Sequence, residues 1–269
     1  MTATALRQRA RTDRSAPKAR MSLWRLEWLR LVRTPRALSL GAVYLAIGLI
    51  EPVATRYVST IVGHASHGAV IRLPKPTPAD ALSSYVSEAA LVGLIVLVAV
   101  AASALGFDSS PGLAAFFRTR VRSMWQLVAP RFVAYAAAGA LAYLTGTLAA
   151  WYETRLLIGS LPAAGLFAGV LCGVVYLAFA VAVTALATSL ARNTVASAGI
   201  TLAILLALPL LADIHVIANW VPSALVGAPA DLVAGTQHLS HFLPALAVAA
   251  VAAAAALALA VVQLRAREI

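Results

Sequence analysis

The side chains that could carry chemistry are few, and their spacing closes off most reactions. A phosphate-binding loop ends in Gly-Lys-Ser or Gly-Lys-Thr, whose amides and lysine hold the phosphates. This chain has two lysines, Lys18 and Lys75, and neither follows a glycine. If ATP powers the protein, another subunit binds it. A membrane-embedded hydrolase needs convergent groups such as Ser with His or paired Asp, and the apolar stretches contain none. The carboxylate that stands out in them is Glu51, followed by Pro52, with Arg56 the nearest cation in sequence. A carboxylate at membrane depth is costly and faces a bundle interior, protonated or paired. Two readings stay open for it: a gate or substrate contact, and a structural ion pair near the surface. Hydroxyls are the other polar groups of these stretches, among them Tyr44, Tyr135, Tyr143, Thr145, Tyr176, Thr184 and Thr201.

Cys172 has no partner for an intramolecular disulfide and reads as a small packing residue. The five histidines, His64, His67, His215, His238 and His241, include two pairs at i, i+3 spacing. Without a nearby cysteine such pairs are a weak metal signal, and solvated or headgroup-contacting imidazoles are the better reading.

The elements that must position these groups follow from composition. Of 269 residues, 61% are hydrophobic and 12% charged, against about 45–50% and about 25% in soluble domains. The excess lies in six apolar segments, at 37–56, 89–107, 132–151, 165–190, 195–211 and 242–262. Each is close to the roughly 20 residues a membrane helix requires. Barrel strands would alternate polar and apolar residues over about ten positions, and no such alternation occurs. The fold class predicted is an all-α integral membrane protein with six transmembrane helices.

The net charge of +11 is a topology signal, with no nucleic-acid partner expected. Seventeen of the 21 cations fall in the N-terminal region, the second and fourth connections and the C-terminus; the other side holds Arg56, Arg72, Lys75 and Arg155. The positive-inside rule then puts both termini in the cytoplasm, in a bacterial inner or plasma membrane. Residues 1–20 read as a basic, disordered cytoplasmic tail near anionic lipid, without the early hydrophobic stretch of a cleavable signal. Residues 21–36 read as an interfacial elbow helix. On it Trp24, Trp28, Leu31 and Val32 share one face, and Glu27, Arg30 and Arg33 the opposite one. Pro35 then breaks the helix. The competing reading is a cytoplasmic extension of the first span. Residues 37–264 form the transmembrane domain and 265–269 a cytoplasmic C-terminus. Residues 73–78, Leu-Pro-Lys-Pro-Thr-Pro, read as extended. The apolar middle of the last connection, Val221 to Val233, reads as one or two short re-entrant helices.

Gly165, Gly169 and Gly173 recur every fourth residue of the fourth span. Such a stripe permits close helix packing, within the subunit by default and at a dimer seam otherwise. The connection after the second span runs from Phe107 to Arg131, with Phe116 and Phe117 among arginines. Apolar residues on a short cytoplasmic helix suit a partner's groove; a second interfacial helix with its phenylalanines in lipid is the other reading.

The order of parts resembles the permease subunits of type-2 ABC exporters: a basic interfacial elbow, six spans, a short re-entrant region before the last span, and a basic C-terminus. In the connection after the second span, Asp108, Gly112-Leu113, Phe116-Phe117, Val121-Arg122-Ser123 and Arg131 occupy places comparable to that family's motif. Leu113 stands for threonine, the phenylalanines for leucines and Arg120 for proline. The resemblance implies a coupling helix there, with Phe116, Phe117, Arg118 and Arg120 against a cytoplasmic ATPase, and a second contact at Arg192. It implies a non-catalytic transport subunit that binds no cofactor. ATP and Mg would sit at an ATPase dimer, and a second permease, identical or different, would complete the assembly in the membrane lipid. The cargo expected from the uncharged walls is lipophilic or amphiphilic, a drug, antibiotic or lipid, with Glu51, Tyr44, Tyr143 and Tyr176 as path or gate. The alternatives are an ion-coupled secondary transporter using Glu51, although no inverted repeat is seen, and an ABC-type membrane component for assembly or metal-related maturation.

Overall fold

The computed structural model describes residues 23–65, 75–106, 124–191, 193–212 and 216–266, and every regular element among them is helical. Helix α1 spans Leu23–Arg33 and α2 Pro35–Ala65. Helix α3, Pro78–Glu88, passes through a π-helical turn at Ala89–Gly93 into α4, Leu94–Leu105. Then come α5 (Trp125–Leu157), α6 (Ala163–Leu190), α7 (Thr194–Ala212), a 3-10 turn at Ala218–Trp220, α8 (Ala224–Ala234) and α9 (Leu239–Ala266). Six stretches are long and apolar enough to cross a membrane: Pro35–Val58, Pro78–Leu105, and the whole of α5, α6, α7 and α9. The chain is a multi-pass membrane protein. With six crossings, α1 and the end of α9 share one side of the bilayer, the terminus-bearing end.

The second span begins at Pro78, eleven residues before the predicted start at 89. Its start is chemically marked. The Thr77 backbone N–H donates to the Asp80 carboxylate at 2.7 Å, and the Asp80 N–H donates to Thr77 Oγ1 at 3.3 Å. Pro78 occupies the first turn, where a missing N–H costs nothing. From there Ala81, Leu82, Tyr85, Val86 and Ala89 recur at helical spacing and are buried. The longer helix carries Asp80 and Glu88, so Glu51 is not the one carboxylate within the spans. The third span is also longer than 132–151 and takes in Arg131 and Glu153. Pro35 opens α2, and Pro52 lies inside that helix without ending it.

Between helices in lipid, association depends on close packing and hydrogen bonds, since lipid tails are as apolar as the helices. Two glycine-based appositions supply the closest packing here. Helices α2 and α5 cross at Gly48 and Gly146: a Cβ on Gly48 would run into the Gly146 carbonyl, and one on Gly146 would sit 2.5 Å from the Tyr44 carbonyl oxygen. Helices α6 and α8 meet at Gly165 and Gly169, where a Cβ would lie 2.6 Å from the Leu232 carbonyl oxygen and collide with Pro229. The third glycine of that stripe, Gly173, faces the Tyr143 ring instead, 2.7 Å from an added Cβ. The stripe thus meets α8 and α5 of the same chain. Helix α6 is the most buried of the six and touches α4, α5, α7, α8 and α9. Cys172 is buried on it as a free thiol. Helix α8 ends at Gly235, in the left-handed conformation at φ 70°, and the Thr236 N–H closes the turn onto the Asp231 carbonyl at 3.1 Å.

Gly48→Ala is expected to destabilise the fold by about 2–3 kcal/mol, the cost of a forced overpacking. Gly41→Ala, on the same helix with nothing within 4 Å of the added Cβ, should be neutral or slightly stabilising. Thermal unfolding of the two variants in one detergent checks this.

Candidate functional site

Three polar layers cross the bundle. The first lies at the terminus-bearing end. Trp24, Trp28 and Val32 of α1 face outward, while Glu27 and Leu31 are buried. This corrects the helical wheel, which put Glu27 on the polar face with Arg30 and Arg33, and Leu31 with the tryptophans. The physical reason is Arg131, 6% exposed in the second turn of α5. Its Nε donates to Glu27 Oε1 at 3.1 Å, and a guanidinium Nη1 donates to the Ala104 carbonyl at 3.3 Å. Arg30 lies 3.6 Å from the same Glu27 oxygen. Ala104 is in the last turn of α4, where carbonyls lack a helical partner. One guanidinium therefore ties α1 to both roots of the 106–124 connection. Beside it, Arg36 of α2 donates to the Tyr135 hydroxyl of α5 at 3.4 Å. The predicted contact residues Phe116, Phe117, Arg118, Arg120 and Arg192 lie outside the described residues.

The second layer is aromatic: Tyr44, Tyr143 and Tyr176 lie toward the middle of their spans, and Tyr85 lies near the start of the second span, next to Ser84 of the third layer. Tyr44 of α2 meets Tyr143 of α5 edge-on, centroids 6.1 Å apart, and Tyr85 of α3 lies along Tyr143 at 6.0 Å and 23°. The Tyr85 hydroxyl donates to the Tyr143 carbonyl at 3.0 Å. The Thr147 hydroxyl donates to the same carbonyl at 2.8 Å and lies 3.2 Å from the Tyr85 oxygen. Tyr176 of α6 completes the group. Tyr44, Tyr143 and Tyr176 come together around a cavity of about 20 Å³ whose other walls are Val86, Ala89, Ala90, Gly173, Leu177 and Val226. Tyr85 and Thr147 were missed from the sequence. The signal for Tyr85 is the Thr77-x-x-Asp80 start, which brings residues 78–88 into the bundle.

The third layer lies toward the opposite end. Glu51 is half-buried on α2, and Glu88, a second carboxylate, is half-buried on α3. Thr55 donates to Ser84 Oγ at 3.3 Å at the same α2–α3 contact. Among the described residues Glu51 makes no ion pair with Arg56. Five residues of helix put the two side chains about 140° apart, away from the i, i+3 and i, i+4 positions where pairs meet. Among the described residues no three His, Cys, Asp or Glu side chains gather where they could hold a metal. His238 and His241 belong to the turn into α9, where the His241 N–H donates to the His238 carbonyl at 3.0 Å. His67 and His215, and the side chain of His64, lie outside the described residues.

No protein-family model, curated protein or solved structure matches the chain. The site geometry stands on its own.

Arg131→Ala leaves buried Glu27 with only the exposed Arg30 beside it and should cost about 3 kcal/mol. The pair Glu27→Leu with Arg131→Met should recover most of that loss, because an apolar pair of similar volume replaces a buried ion pair at little cost. A double-mutant cycle read by thermal unfolding in detergent checks it.

Proposed function

We propose that this chain is the transmembrane permease subunit of an ATP-driven exporter of the type-2 ABC class. It would move a lipophilic or amphiphilic compound out of the cytoplasm or the inner leaflet of the cell membrane. The observation that carries this reading is the Glu27–Arg131–Ala104 junction. A force on the 106–124 connection acts at once on α1, α4 and α5 through that junction, which is what a subunit driven by an external motor requires. The sequence of that connection, with Phe116 and Phe117 among arginines, suits an ATPase groove, and the chain lacks a phosphate-binding loop of its own. An uncharged tyrosine layer at mid-span suits a cargo without charge. Both termini then face the cytoplasm, as the distribution of arginines favours.

One observation favours ion coupling instead: Glu51 and Glu88, both half-buried, each lie four residues from the Thr55–Ser84 hydrogen bond that joins α2 to α3. Paired carboxylates in a span are the usual acceptors of a coupling proton or sodium ion. This second reading makes the protein a transporter without an ATPase.

The deciding experiment isolates the tagged chain from its native membrane in mild detergent and assays ATP hydrolysis. Co-purification of a subunit with a phosphate-binding loop is expected, with hydrolysis and capture both lost in Phe117→Asp, since that charge would be desolvated in an apolar groove. The variant should insert and unfold like the parent chain. Recovery of the chain alone at every salt concentration, with proton uptake into proteoliposomes abolished by Glu88→Gln, would replace the exporter by the ion-coupled transporter.

A further inference from the structure

The cavity among Tyr44, Tyr143 and Tyr176 differs from a packing defect in three respects. It lies at mid-span: Tyr44 is nine residues, about 14 Å, into α2, and Tyr176 thirteen residues, about 20 Å, into α6. The Tyr44 hydroxyl is buried with no hydrogen-bond partner, one of three such side-chain oxygens among the described residues and the one whose residue lines this cavity. Finally, one wall is the π-helical turn Ala89–Gly93, which contributes Ala89 and Ala90. Its Gly93 admits the Tyr44 ring, whose Cζ lies 2.7 Å from where a Cβ would be. π turns interrupt helices chiefly at functional sites, and irregular backbone at membrane depth is tolerated where it is buried or lines a cavity.

The walls also divide mechanically. Tyr44 and Tyr143 belong to the α2–α5 pair, locked at Gly48 and Gly146. Gly173, Tyr176, Leu177 and Val226 belong to the α6–α8 pair, locked at Gly165 and Gly169. Across the seam at the cavity, the Tyr143 ring rests on Gly173. A ring on a glycine can slide away at small cost, whereas backbone-to-backbone contacts cannot.

We propose that this cavity is a ligand site in its closed form, for an uncharged molecule with an aromatic or aliphatic body and a carbonyl or ether oxygen that accepts from Tyr44. A cavity of about 20 Å³ holds one water, and a drug-sized molecule needs roughly 300 Å³ or more. Entry therefore separates the two helix pairs, with Tyr143 leaving Gly173 and the π turn yielding beside it. No carboxylate, guanidinium or ammonium lines the walls, so a charged ligand would be desolvated without a partner. The proposal names the cargo site of the exporter reading and rests on it for the ligand's role.

The test uses the full chain in lipid nanodiscs without any ATPase, and radiolabelled benzophenone, a neutral diaryl ketone that photolabels C–H bonds within its reach. Saturable labelling is expected on peptides that contain Tyr44, Ala89–Gly93 and Tyr176. In Tyr44→Phe the half-saturation concentration should rise about tenfold, the worth of one neutral hydrogen bond. The unfolding midpoint of the unliganded Tyr44→Phe protein should stay level or rise, because the substitution removes an unpaired hydroxyl and keeps the ring. Labelling that grows linearly and falls on the lipid-facing sides of α7 and α9 would overturn the proposal, as would equal half-saturation in the two proteins. Tyr44-dependent labelling without a co-purifying ATPase would keep the site and remove the exporter. An ATPase captured alongside non-saturable labelling would do the reverse.

Discussion

The apposition of Gly48 and Gly146 sets the geometry on which the rest of the bundle depends. In water two helices are pushed together by the area they hide, but in lipid that push is absent, and close approach has to come from the absence of side chains. Here both helices lack a Cβ at the same point, and the backbones touch. The consequence is local and chemical. Tyr44, one turn from Gly48, is brought edge-on to Tyr143, nearly one turn from Gly146. The Tyr85 hydroxyl enters the same gap, 2.7 Å from where a Gly146 Cβ would sit, and reaches the Tyr143 carbonyl. Any side chain at 146 would displace that hydroxyl. The tyrosine layer is therefore a by-product of backbone contact, and helix α6 repeats the device against α8.

The terminus-bearing end is held by a different means. A glycine apposition fixes distance but leaves the helices free to rotate about the contact, whereas a guanidinium has several donors in a fixed plane. Arg131 uses two of them on two elements, the α1 carboxylate and the last turn of α4. A buried pair of this kind adds little net stability over an apolar contact of the same size. What it adds is register: α1 can dock in one rotation, with Glu27 inward and both tryptophans outward. That orientation leaves Trp24 and Trp28 exposed on the outer face of the bundle.

Six spans were legible because runs of about twenty residues without charge have no other stable home. Their ends were less so. An apolar criterion stops at the first polar cluster, and Ser83, Ser84, Ser87 and Glu88 hid a helix whose other face is Ala81, Leu82, Tyr85 and Val86. The capping pattern Thr77-Pro78-x-Asp80 overlaps the proline-rich stretch 73–78, whose prolines point to extended chain. Tyr44, Tyr143 and Tyr176 were legible as hydroxyls in otherwise apolar walls, though their convergence depends on three helix crossings that no local pattern encodes. Glu27 was misplaced for a related reason: a helical wheel sends charge away from apolar neighbours unless a partner is known to wait inside, and Arg131 lies 104 residues further on.

The depth of the carboxylates bears on how the molecule is powered. Glu51 lies sixteen residues beyond Pro35 and Glu88 seventeen before Leu105, so both sit about 24–26 Å from the terminus-bearing end. In a hydrocarbon core of roughly 30 Å this is close to the opposite interface, where a carboxylate can reach water or headgroups and its cost falls. Asp80 and Glu153 belong to the same half. Toward the terminus-bearing end the described residues offer Glu27, and it is committed to Arg131. Between these levels lie Tyr44 and Tyr176, which hold no charge at neutral pH, while Tyr85 lies three residues beyond Glu88 toward the opposite end. Among the described residues, a coupling ion that entered at Glu51 and Glu88 would meet no further acidic group for roughly 20 Å of bilayer, while an uncharged molecule would meet rings, methyl groups and the unpartnered Tyr44 hydroxyl. The distribution of charge with depth among the described residues thus weighs against an ion relay through this bundle.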